Sequence, residues 1–477
     1  MRHGNNNPLS LKLKRFIEWG RASSFLPHAM LERRVRGVSN DSRTVGEGEV
    51  FIALTTEKDD GHRYVADALK RGAIAALVAK KKLSCFSPQE MNKLIAVQDP
   101  LSALQRIASE YRKTLTMPIV GITGSSGKTT ARTFVASVLK EAMRVGETAG
   151  NLNNHIGVPM SLLRFTGNED VGVLEMGANH RREIHLLSTI VRPTIAAITS
   201  IGYAHIGYFG SLRAILGAKL EILDGMHDPS GFLMLNGDDR LLVEAARRSK
   251  KDIVFFGFSS RCAVRARNIR IVDGSATWFE VDGVSFRLAT IGRHFVYSAL
   301  MAIYLGRHFG IDDRLIADAL RTIGPAHLRG TITVKRGATF IVDCYNANPS
   351  SMKSGIELLT DVAAGRPKVA VVGDMLELGK FSPRLHTELG ARLVRAGVRA
   401  IVAVGGFASN VAKGARKAGM LKKNIHIAPD SRQALAPVKK TVRGGDVVLL
   451  KGSRGVHLET VFEGFSKEGT KRHASAH

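Results

Sequence analysis

The sequence predicts an α/β protein of three domains, whose central domain contains a doubly wound, mainly parallel sheet. The chain has 477 residues, and domains of about 150 residues are common. Its composition, 44% hydrophobic and 23% charged, is that of an ordinary globular protein. Short apolar runs alternate with helical patterns along most of the chain, which is typical of sheets built from βαβ units. We therefore expect a small N-terminal α/β domain over residues 1–112, a central domain over 113–325 and a C-terminal domain over 326–477.

The first domain is predicted to contain short strands and helices in alternation. Residues 50–54 form an apolar run that predicts a strand, and residues 64–70 have a helical pattern. A further strand is expected over residues 73–78, and a helix over residues 102–115 leads into the central domain.

The central domain is predicted to open with a strand at residues 119–122, a Gly-rich polar loop and a helix. The helix is indicated by apolar residues at three- and four-residue steps, namely Ala131, Phe134, Val135, Val138 and Leu139. Further buried strands are expected at residues 171–176 and 194–201. Residues 276–288 alternate with period two and are interrupted by Asp282-Gly283, which predicts a hairpin.

The C-terminal domain is expected to be Rossmann-like, with candidate site residues in the turns that follow its strands. Its apolar runs are residues 340–342, 369–372, 400–404, 425–428 and 447–450. Several of these runs end in Gly or Asp. In open α/β sheets, ligands bind outside the carboxyl ends of the strands.

The strongest functional signal is the segment Gly121-Ile-Thr-Gly-Ser-Ser-Gly-Lys-Thr-Thr130. A strand, a Gly-rich loop and Lys-Thr at a helix start form a phosphate cradle, in which Lys128 neutralises charge and the Thr129 hydroxyl can coordinate Mg²⁺. Five residues rather than the usual four separate Gly121 from Gly127. The alternative is a Gly-Ser turn before a helix that carries a surface lysine. The expected phosphate-binding residues are Gly124, Ser125, Ser126, Gly127, Lys128, Thr129 and Thr130.

Three further residues are ambiguous when they are considered singly. Glu175 ends an apolar run and is a plausible Mg²⁺ ligand, although strand-end carboxylates are usually only solvated. A lone histidine such as His205 is more often structural. Lys219 has the sequence pattern of an ordinary lysine on a helix surface.

Taken together, these motifs resemble those of the Mur ligases. The phosphate loop is followed by Ala149-Gly-Asn-Leu-Asn-Asn-His-Ile-Gly-Val-Pro159 and Leu174-Glu-Met-Gly-Ala-Asn-His180. The segments Asp343-Cys-Tyr-Asn-Ala-Asn-Pro-Ser-Ser-Met352, Gly373-Asp-Met-Leu-Glu-Leu-Gly379 and Lys451-Gly-Ser-Arg-Gly455 are similar to the subgroup that adds D-alanyl-D-alanine. The N-terminal strings Asp41-Ser-Arg-Thr-Val45 and Asp60-Gly-His62 are similar to the UDP-sugar-binding domain of that subgroup.

The resemblance implies an ADP-forming ligase that uses ATP and two Mg²⁺ ions. Its substrates would be UDP-N-acetylmuramoyl-tripeptide and D-alanyl-D-alanine, joined through an acyl phosphate in peptidoglycan precursor synthesis. Lys128 and Thr129 would hold the ATP phosphates and Mg²⁺. Glu175 and His205 would complete metal coordination, and Lys219 would be carbamylated and support the second Mg²⁺.

The resemblance also implies three groups of binding residues. Nucleotide contacts are expected from Asn236, Arg329, Asp343, Tyr345 and Asn346. Ser42 and Arg43 would face the uridine diphosphate end of the precursor. The muramoyl-peptide channel would be lined by Asn151, Asn153 and Asn154.

Four positions depart from the family pattern. Phe295 and Ser298 stand where relatives often have Asn, Thr56 replaces a customary Gly, and Ser200 stands where Asn is common. These departures concern contacts with the nucleotide and uridine rather than the class of reaction. No family role is assigned to Phe295 or Ser298.

Other functions stay open on the sequence. One alternative is a P-loop hydrolase or kinase with an unrelated third domain, and another is a nucleotide-gated binding protein. Within the family, the alternative is a ligase that adds a different amino acid. The chain lacks the Asp-Asn-Pro-Arg string that marks the diaminopimelate-adding relatives.

The chain is strongly basic, with 69 Lys and Arg against 42 Asp and Glu and a formal net charge of +27. Such a charge would suit an anionic partner. The positive residues are dispersed, however, and the densest cluster is only Lys80-Lys81-Lys82. In the absence of a nucleic-acid motif, we interpret the charge mainly as a solvated surface and expect no specific nucleic-acid partner.

The sequence predicts a cytoplasmic monomer without a membrane span. No apolar run reaches the roughly 18 residues that a spanning helix requires. The N-terminus lacks the continuous apolar segment of a secretory signal. Cys85, Cys262 and Cys344 are odd in number and far apart, which indicates free thiols in a reducing compartment.

Overall fold

Three α/β domains follow one another along the chain, as the sequence predicts. The computed structural model describes residues 11–272, 276–325 and 328–466. The predicted boundaries after residues 112 and 325 stay predictions, and the second adjoins residues 326–327, which lie outside the described residues. In the described part of the chain, no helix is both long enough and apolar enough to cross a membrane.

The first domain contains a five-stranded sheet and a two-stranded ribbon. Its strands are β1 (Leu11–Lys12), β2 (Ser23–Ser24), β3 (Arg34–Val35), β4 (Gly37–Ser39), β5 (Glu49–Ile52), β6 (Ala75–Ala79) and β7 (Leu94–Val97). Its helices are α1 (Leu13–Gly20), α2 (Val65–Lys70), α3 (Pro88–Met91) and α4 (Pro100–Thr114). The sheet has the order β2-β7-β6-β5-β4, and β1 pairs with β3. The strands predicted at 50–54 and 73–78 are confirmed.

Helix α4 fastens the first domain to the central one. Asp99 caps its start by accepting hydrogen bonds from the backbone N–H groups of Leu101 and Ser102, an arrangement that stabilises a helix by about 1 kcal/mol. Near its end, the buried Arg112 donates to Val191 O at 2.7 Å and to Leu115 O at 2.6 Å. Because Val191 belongs to the central domain, the buried guanidinium connects helix α4 to the backbone of that domain.

The central domain is built on a seven-stranded, entirely parallel sheet. Its strands are β8 (Ile119–Thr123), β9 (Val145–Glu147), β10 (Val171–Glu175), β11 (Ile195–Ile198), β12 (Phe232–Asn236), β13 (Asp252–Gly257) and β14 (Val264–Arg265). Its helices are α5 (Lys128–Leu139), α6 (Gly157–Leu162), α7 (Glu183–Val191), α8 (Ile206–Phe209), α9 (Leu212–Leu220), α10 (Arg240–Ala246), α11 (Arg293–His308) and α12 (Asp313–Thr322). The strand order is β14-β13-β12-β11-β8-β10-β9.

Strand β8 marks the point at which this sheet changes winding direction. It pairs with β10 on one side and with β11 on the other, in parallel in both cases. Ligand crevices in doubly wound sheets open at the carboxyl end of such a switch point. The loop after β8 is the predicted phosphate loop.

The predicted hairpin at residues 276–288 is also confirmed. It forms part of a three-stranded antiparallel sheet of β15 (Arg267–Val272), β16 (Ala276–Val281) and β17 (Val284–Leu288). Asp282 and Gly283 turn the chain with φ angles of +50° and +81°. These positive values are those that a two-residue hairpin turn requires.

The C-terminal domain has a six-stranded sheet with the order β18-β19-β23-β20-β21-β22. Its strands are β18 (Thr331–Lys335), β19 (Ala338–Asp343), β20 (Lys368–Gly373), β21 (Val398–Val404), β22 (Ile425–Ala428) and β23 (Val447–Lys451). Its helices are α13 (Pro349–Ala363), α14 (Ser382–Arg395), α15 (Ala408–Lys417), α16 (Ser431–Thr441) and α17 (Glu459–Ser466). All five predicted strands are confirmed, and the additional strand β18 runs antiparallel to β19.

Candidate active site

A cleft of about 570 Å³ lies between the central and C-terminal domains. Its volume is within the range of roughly 300–1,000 Å³ that is usual for small-molecule sites. Most of the site residues predicted from the sequence line it: Ser125, Ser126, Gly127, Lys128, Thr129, Thr130, Asn151, Asn153, Asn154, Glu175, His205, Asn236, Arg329, Asp343, Tyr345 and Asn346. Two domains therefore contribute to one site.

The phosphate loop is held in shape by the segment that follows β11. Ser125 N–H donates to Ser200 O at 2.8 Å, and the Thr199 hydroxyl donates to Ser126 O at 2.6 Å. Gly124 has φ +144°, and a Cβ atom there would lie 2.0 Å from the Thr199 hydroxyl oxygen. This position therefore requires glycine, and the loop is fixed by contacts that do not involve a ligand.

Lys128 begins helix α5 and folds back over the loop, where its Nζ donates to Gly124 O at 2.9 Å. Burial lowers the pKa of Lys128, with nearby Glu175 opposing this effect and Arg329 adding to it. Lys128 and Arg329 thus repel each other across the cleft. A bound polyphosphate would offset this repulsion, so the electrostatics of the cleft suit an anionic ligand.

Glu175 ends β10 and is almost completely buried, with 1% of its surface exposed. Its Oε1 atom accepts a hydrogen bond from Asn153 Nδ2 at 2.7 Å. Its Oε2 atom has no hydrogen-bond partner among the described residues, and the nearest cation, Arg132 Nε, is 3.9 Å away. A buried carboxylate oxygen without a donor is unfavourable, and it is a suitable ligand for a hard cation.

The predicted metal site offers few protein ligands. It therefore suits Mg²⁺ better than a metal ion whose ligands all come from protein side chains. Among the described residues, no three His, Cys, Asp or Glu side chains are grouped so that they could hold a metal ion. Mg²⁺ commonly takes one or two carboxylates and completes its shell with phosphate oxygens and water. Glu175, the Thr129 hydroxyl and a nucleotide phosphate would meet that requirement.

Lys219 lies behind the cleft on helix α9 and is 2% exposed, so the surface position suggested by its sequence pattern is wrong. Among the described residues its Nζ donates only to Ala178 O, at 3.4 Å, and it lies 5.9 Å from the ring of Phe209. Burial and the positive charge of Lys128 lower the pKa of Lys219 to about 7, against the opposing effect of Glu183 and Glu221. The burial follows from contacts with other elements, which the local pattern does not encode.

Residues of the C-terminal domain cover the phosphate loop. The Arg329 guanidinium lies 4.2 Å from the centre of the Tyr345 ring, and the Tyr345 hydroxyl accepts from Asn151 Nδ2 at 2.9 Å. Asn348 Nδ2 contacts Ser125 O at 3.5 Å. The structure therefore has the C-terminal domain closed on the central domain.

Ser42 and Arg43 do not line this cleft. Arg43 is exposed and donates from Nε and Nη2 to the Asp41 carboxylate at 2.9 and 2.7 Å. His62 has a structural role, because its Nδ1 atom lies 2.6 Å from Asp60 Oδ1 and its Nε2 accepts from Ala79 N–H at 3.0 Å. The uridine diphosphate site in the first domain stays a prediction.

Lys451, a candidate from its place at the end of a buried strand, is 1% exposed and donates to Asp343 Oδ2 at 2.6 Å. Two further residues at the site were not predicted. Tyr297 lines the cleft and donates to Asp238 Oδ2 at 3.0 Å. Glu377 lies 2.5 Å from His205 Nδ1, and nothing in the sequence pattern relates these two positions.

Phe295 and Ser298, which depart from the family pattern, lie buried in the wall of the cleft. The Phe295 ring centre is 4.1 Å from that of His294 and 6.3 Å from that of Phe134. Burial lowers the pKa of His294 to about 4, so this imidazole is neutral near pH 7. At position 295, aromatic contacts take the place of the Asn side chain that relatives often have.

Three regions of the chain match descriptions of known domain families. Residues 34–112 match the Mur ligase family catalytic domain, residues 122–306 the Mur ligase middle domain, and residues 329–454 the Mur ligase glutamate ligase domain. The UDP-N-acetylmuramoyl-tripeptide–D-alanyl-D-alanine ligase of Bacillus subtilis strain 168 is 34% identical, over 90% of this chain and 92% of its own length.

Solved structures agree with this similarity. A crystal structure of MurF from Acinetobacter baumannii superposes with a TM-score of 0.85 and 29% identity, covering 97% of this chain and all of that one. The MurF ligase of Thermotoga maritima in complex with ADP has a TM-score of 0.78 and 28% identity, over 91% of this chain and 98% of that one.

Proposed function

The chain belongs to the Mur ligase family, and we propose that it joins D-alanyl-D-alanine to UDP-N-acetylmuramoyl-tripeptide at the expense of ATP. The observation that carries this proposal is the cleft in which the phosphate loop of one domain faces Arg329, Asp343 and Lys451 of another. An enzyme that activates a carboxylate and then delivers an amine to it needs such a two-domain site.

The chemistry requires activation because a carboxylate is a poor electrophile with a poor leaving group. Transfer of the terminal phosphoryl group of ATP to the peptide carboxylate gives an acyl phosphate and ADP. The amine of D-alanyl-D-alanine then attacks the acyl carbon, phosphate leaves, and the amine loses a proton. Lys128 and Arg329 are placed to neutralise the charge that moves during transfer.

We propose that Glu175, His205, Thr129 and a carbamylated Lys219 hold two Mg²⁺ ions at the phosphate end of the cleft. Bound Mg²⁺ would neutralise charge on the phosphoryl oxygens. Glu175 supports this assignment through its unpaired buried oxygen. Lys219 supports it through a pKa near 7, since only the neutral amine reacts with carbon dioxide.

Closure of the C-terminal domain has a chemical purpose in this scheme. Water hydrolyses an acyl phosphate unless the site excludes water. Tyr345 and Asn348 contact the central domain over the phosphate loop. These contacts support a closed state in which the acyl phosphate reacts with the amine before water can hydrolyse it.

A phosphate-release assay, together with mass analysis of the product, tests the proposed function. The full chain would be given ATP and the UDP-linked tripeptide, with or without D-alanyl-D-alanine. A ligase releases phosphate only when both substrates are present and yields a pentapeptide precursor. A hydrolase releases phosphate without them, and a nucleotide-gated binding protein releases none, so either result would reject the proposal.

Arg43 is expected to contribute to binding of the uridine diphosphate end. Its contact with Asp41 uses two of the five guanidinium N–H donors, and the others are suited to a diphosphate. Arg43→Ala should raise the KM for the UDP-linked precursor at least several-fold more than that for D-alanyl-D-alanine. Arg71→Ala, at an exposed position after α2, is the matched control. The opposite ranking of the two KM values would reject this role for the first domain.

The basic surface is expected to bind nucleic acid weakly and without sequence preference. Charge attraction of this kind declines steeply with salt because it depends on counterion release. Titration of labelled DNA of two unrelated sequences should give equal affinities that fall together as salt is raised. Tight binding of one sequence at physiological salt would show a specific partner that we do not expect.

We further propose a cytoplasmic monomer. ATP and a UDP-linked precursor are intracellular metabolites, and Cys85, Cys262 and Cys344 are all free thiols.

A further inference from the structure

The central and C-terminal domains meet at a second place beside the cleft. The Gly207 N–H of α8 donates to Glu377 O, in the segment after β20, at 2.9 Å. His205 Nδ1, at the start of the same helix, lies 2.5 Å from Glu377 Oε2. We refer to His205, Gly207, Glu377 and Gly379 as the domain latch.

The two backbones of the domain latch approach so closely that a side chain would not fit between them. A Cβ atom at Gly207 would lie 2.8 Å from Glu377 O and 2.8 Å from Gly379 N. A Cβ atom at Gly379 would lie 3.0 Å from Gly207 Cα. The opposing atoms belong to backbone, so no change of rotamer would relieve these contacts. The packing of the two domains therefore requires glycine at position 207.

His205 and Glu377 of the domain latch both have strained backbones. His205 has φ +56° and Glu377 has φ +62°, values that favour glycine. Strained residues of this kind persist only where surrounding contacts hold them in place. Here each residue is held against the other across a domain boundary, so separation of the domains would allow both to relax.

The domain latch is connected directly to the reaction site. His205 lines the cleft, so Glu377 brings a carboxylate from the C-terminal domain to the cleft wall. Its Oε2 atom lies 2.5 Å from His205 Nδ1, so the carboxylate contacts the cleft wall directly. Contacts of the domain latch and those of Tyr345 and Asn348 form only when the same two domains are closed.

We propose that Gly207 and Glu377 are positioning residues that hold the C-terminal domain closed while the acyl phosphate is present. The contacts of the domain latch stabilise the closed state. When the domains separate, the backbone strain at His205 and Glu377 is relieved, and this favours opening and release of the product. The inference rests on the proposed function, because holding the cleft closed matters only if an activated acyl group must be protected from water.

Gly207→Ala tests the domain latch, and Gly217→Ala is its matched control. Gly217 is exposed on α9, and a Cβ atom there would meet nothing within 4 Å. Gly207→Ala should lower kcat at least tenfold and leave the Kd of ATP within about threefold of normal, since the phosphate loop is intact. It should also release more than one phosphate per amide formed, because water would reach the acyl phosphate.

Small-angle X-ray scattering separates failure of the domain latch from failure of the proposed function. With a non-hydrolysable ATP analogue and UDP-N-acetylmuramoyl-tripeptide, the parent chain and Gly217→Ala should become compact, whereas Gly207→Ala should stay extended. If the parent chain closes but forms no amide, the proposed function fails and the domain latch can still be assessed. Normal closure and normal coupling in Gly207→Ala would overturn the inference.

Glu377→Gln provides a second test that does not depend on the folding of Gly207→Ala. It keeps the backbone contacts and removes only the charge that faces His205. We expect kcat to fall several-fold and the ratio of phosphate to amide to rise above one. A purely structural role for Glu377 would lower thermal stability without changing that ratio, and this outcome would also overturn the inference.

Discussion

Replacement of Lys128 by alanine is expected to lower kcat by about 10²- to 10³-fold or more while the chain still folds. Loss of one group directed at developing charge costs roughly 3–4 kcal/mol of transition-state stabilisation. Lys128 Nζ lies over the phosphate loop, 2.9 Å from Gly124 O. Folding should survive, because Glu175 keeps its hydrogen bond from Asn153 when this lysine is removed.

Steady-state phosphate release and thermal unfolding measured on the same preparation would check this result. Lys140→Ala is the matched control. Lys140 lies at the opposite end of the same helix, is half-exposed and pairs with Glu147, and surface pairs of this kind contribute at most about 1 kcal/mol. Near-normal turnover in a folded Lys128→Ala protein would show that this loop is not the phosphate site.

Several strands that are buried on both faces were predicted from the sequence, although β7 and β12, which are equally buried, were not. Residues 119–122 and 447–450 are continuous apolar runs, and the structure places them in the middle of their sheets. The order of the strands was not predictable. β23, near the end of the chain, lies between β19 and β20, and such pairing between distant segments leaves no local period.

The candidate site shows the same division between local and distant features. The phosphate loop was predictable because strand, loop and helix start are contiguous in the sequence. The pairing of Glu377 with His205 joins two domains, and hydrophobic periodicity carries no information about it. Lys451 is an intermediate case. Its position at the end of a strand marked it as a candidate, but its contact with Asp343 is visible only in the structure.

Lys219 is expected to make activity depend on carbon dioxide. An ammonium group cannot ligate Mg²⁺, and its charge would repel the metal. In the part of the chain that the structure describes, the buried Nζ has one weak acceptor, Ala178 O at 3.4 Å, so its charged form is poorly stabilised. With the pKa lowered to about 7, roughly half of the amine is neutral at pH 7. The neutral amine can add carbon dioxide and lose a proton, giving an anionic carbamate whose oxygens suit a hard cation.

The sign of the pH dependence follows from this lowered pKa. Below about pH 7 the amine of Lys219 becomes protonated, so carbamate should fall about tenfold per pH unit, and activity should fall with it. The amine of D-alanyl-D-alanine is also protonated at low pH, so a pH profile alone does not identify the group. Supply of bicarbonate separates the two effects, because it restores the carbamate without altering the substrate amine.

Lys219→Ala should therefore lose most of its activity, and acetate should restore part of it by supplying a carboxylate in the vacated position. Lys353→Ala, at an exposed lysine on α13, is the matched control and should respond to neither acetate nor bicarbonate. In the parent chain, ¹³C-labelled bicarbonate should give a carbamate carbon signal by NMR that is absent from Lys219→Ala. Two results would contradict this role for Lys219: full activity of Lys219→Ala in carbonate-depleted buffer, or the absence of the carbamate signal from the labelled parent chain. Either result would show that another group supports the second metal ion or that one metal ion is sufficient.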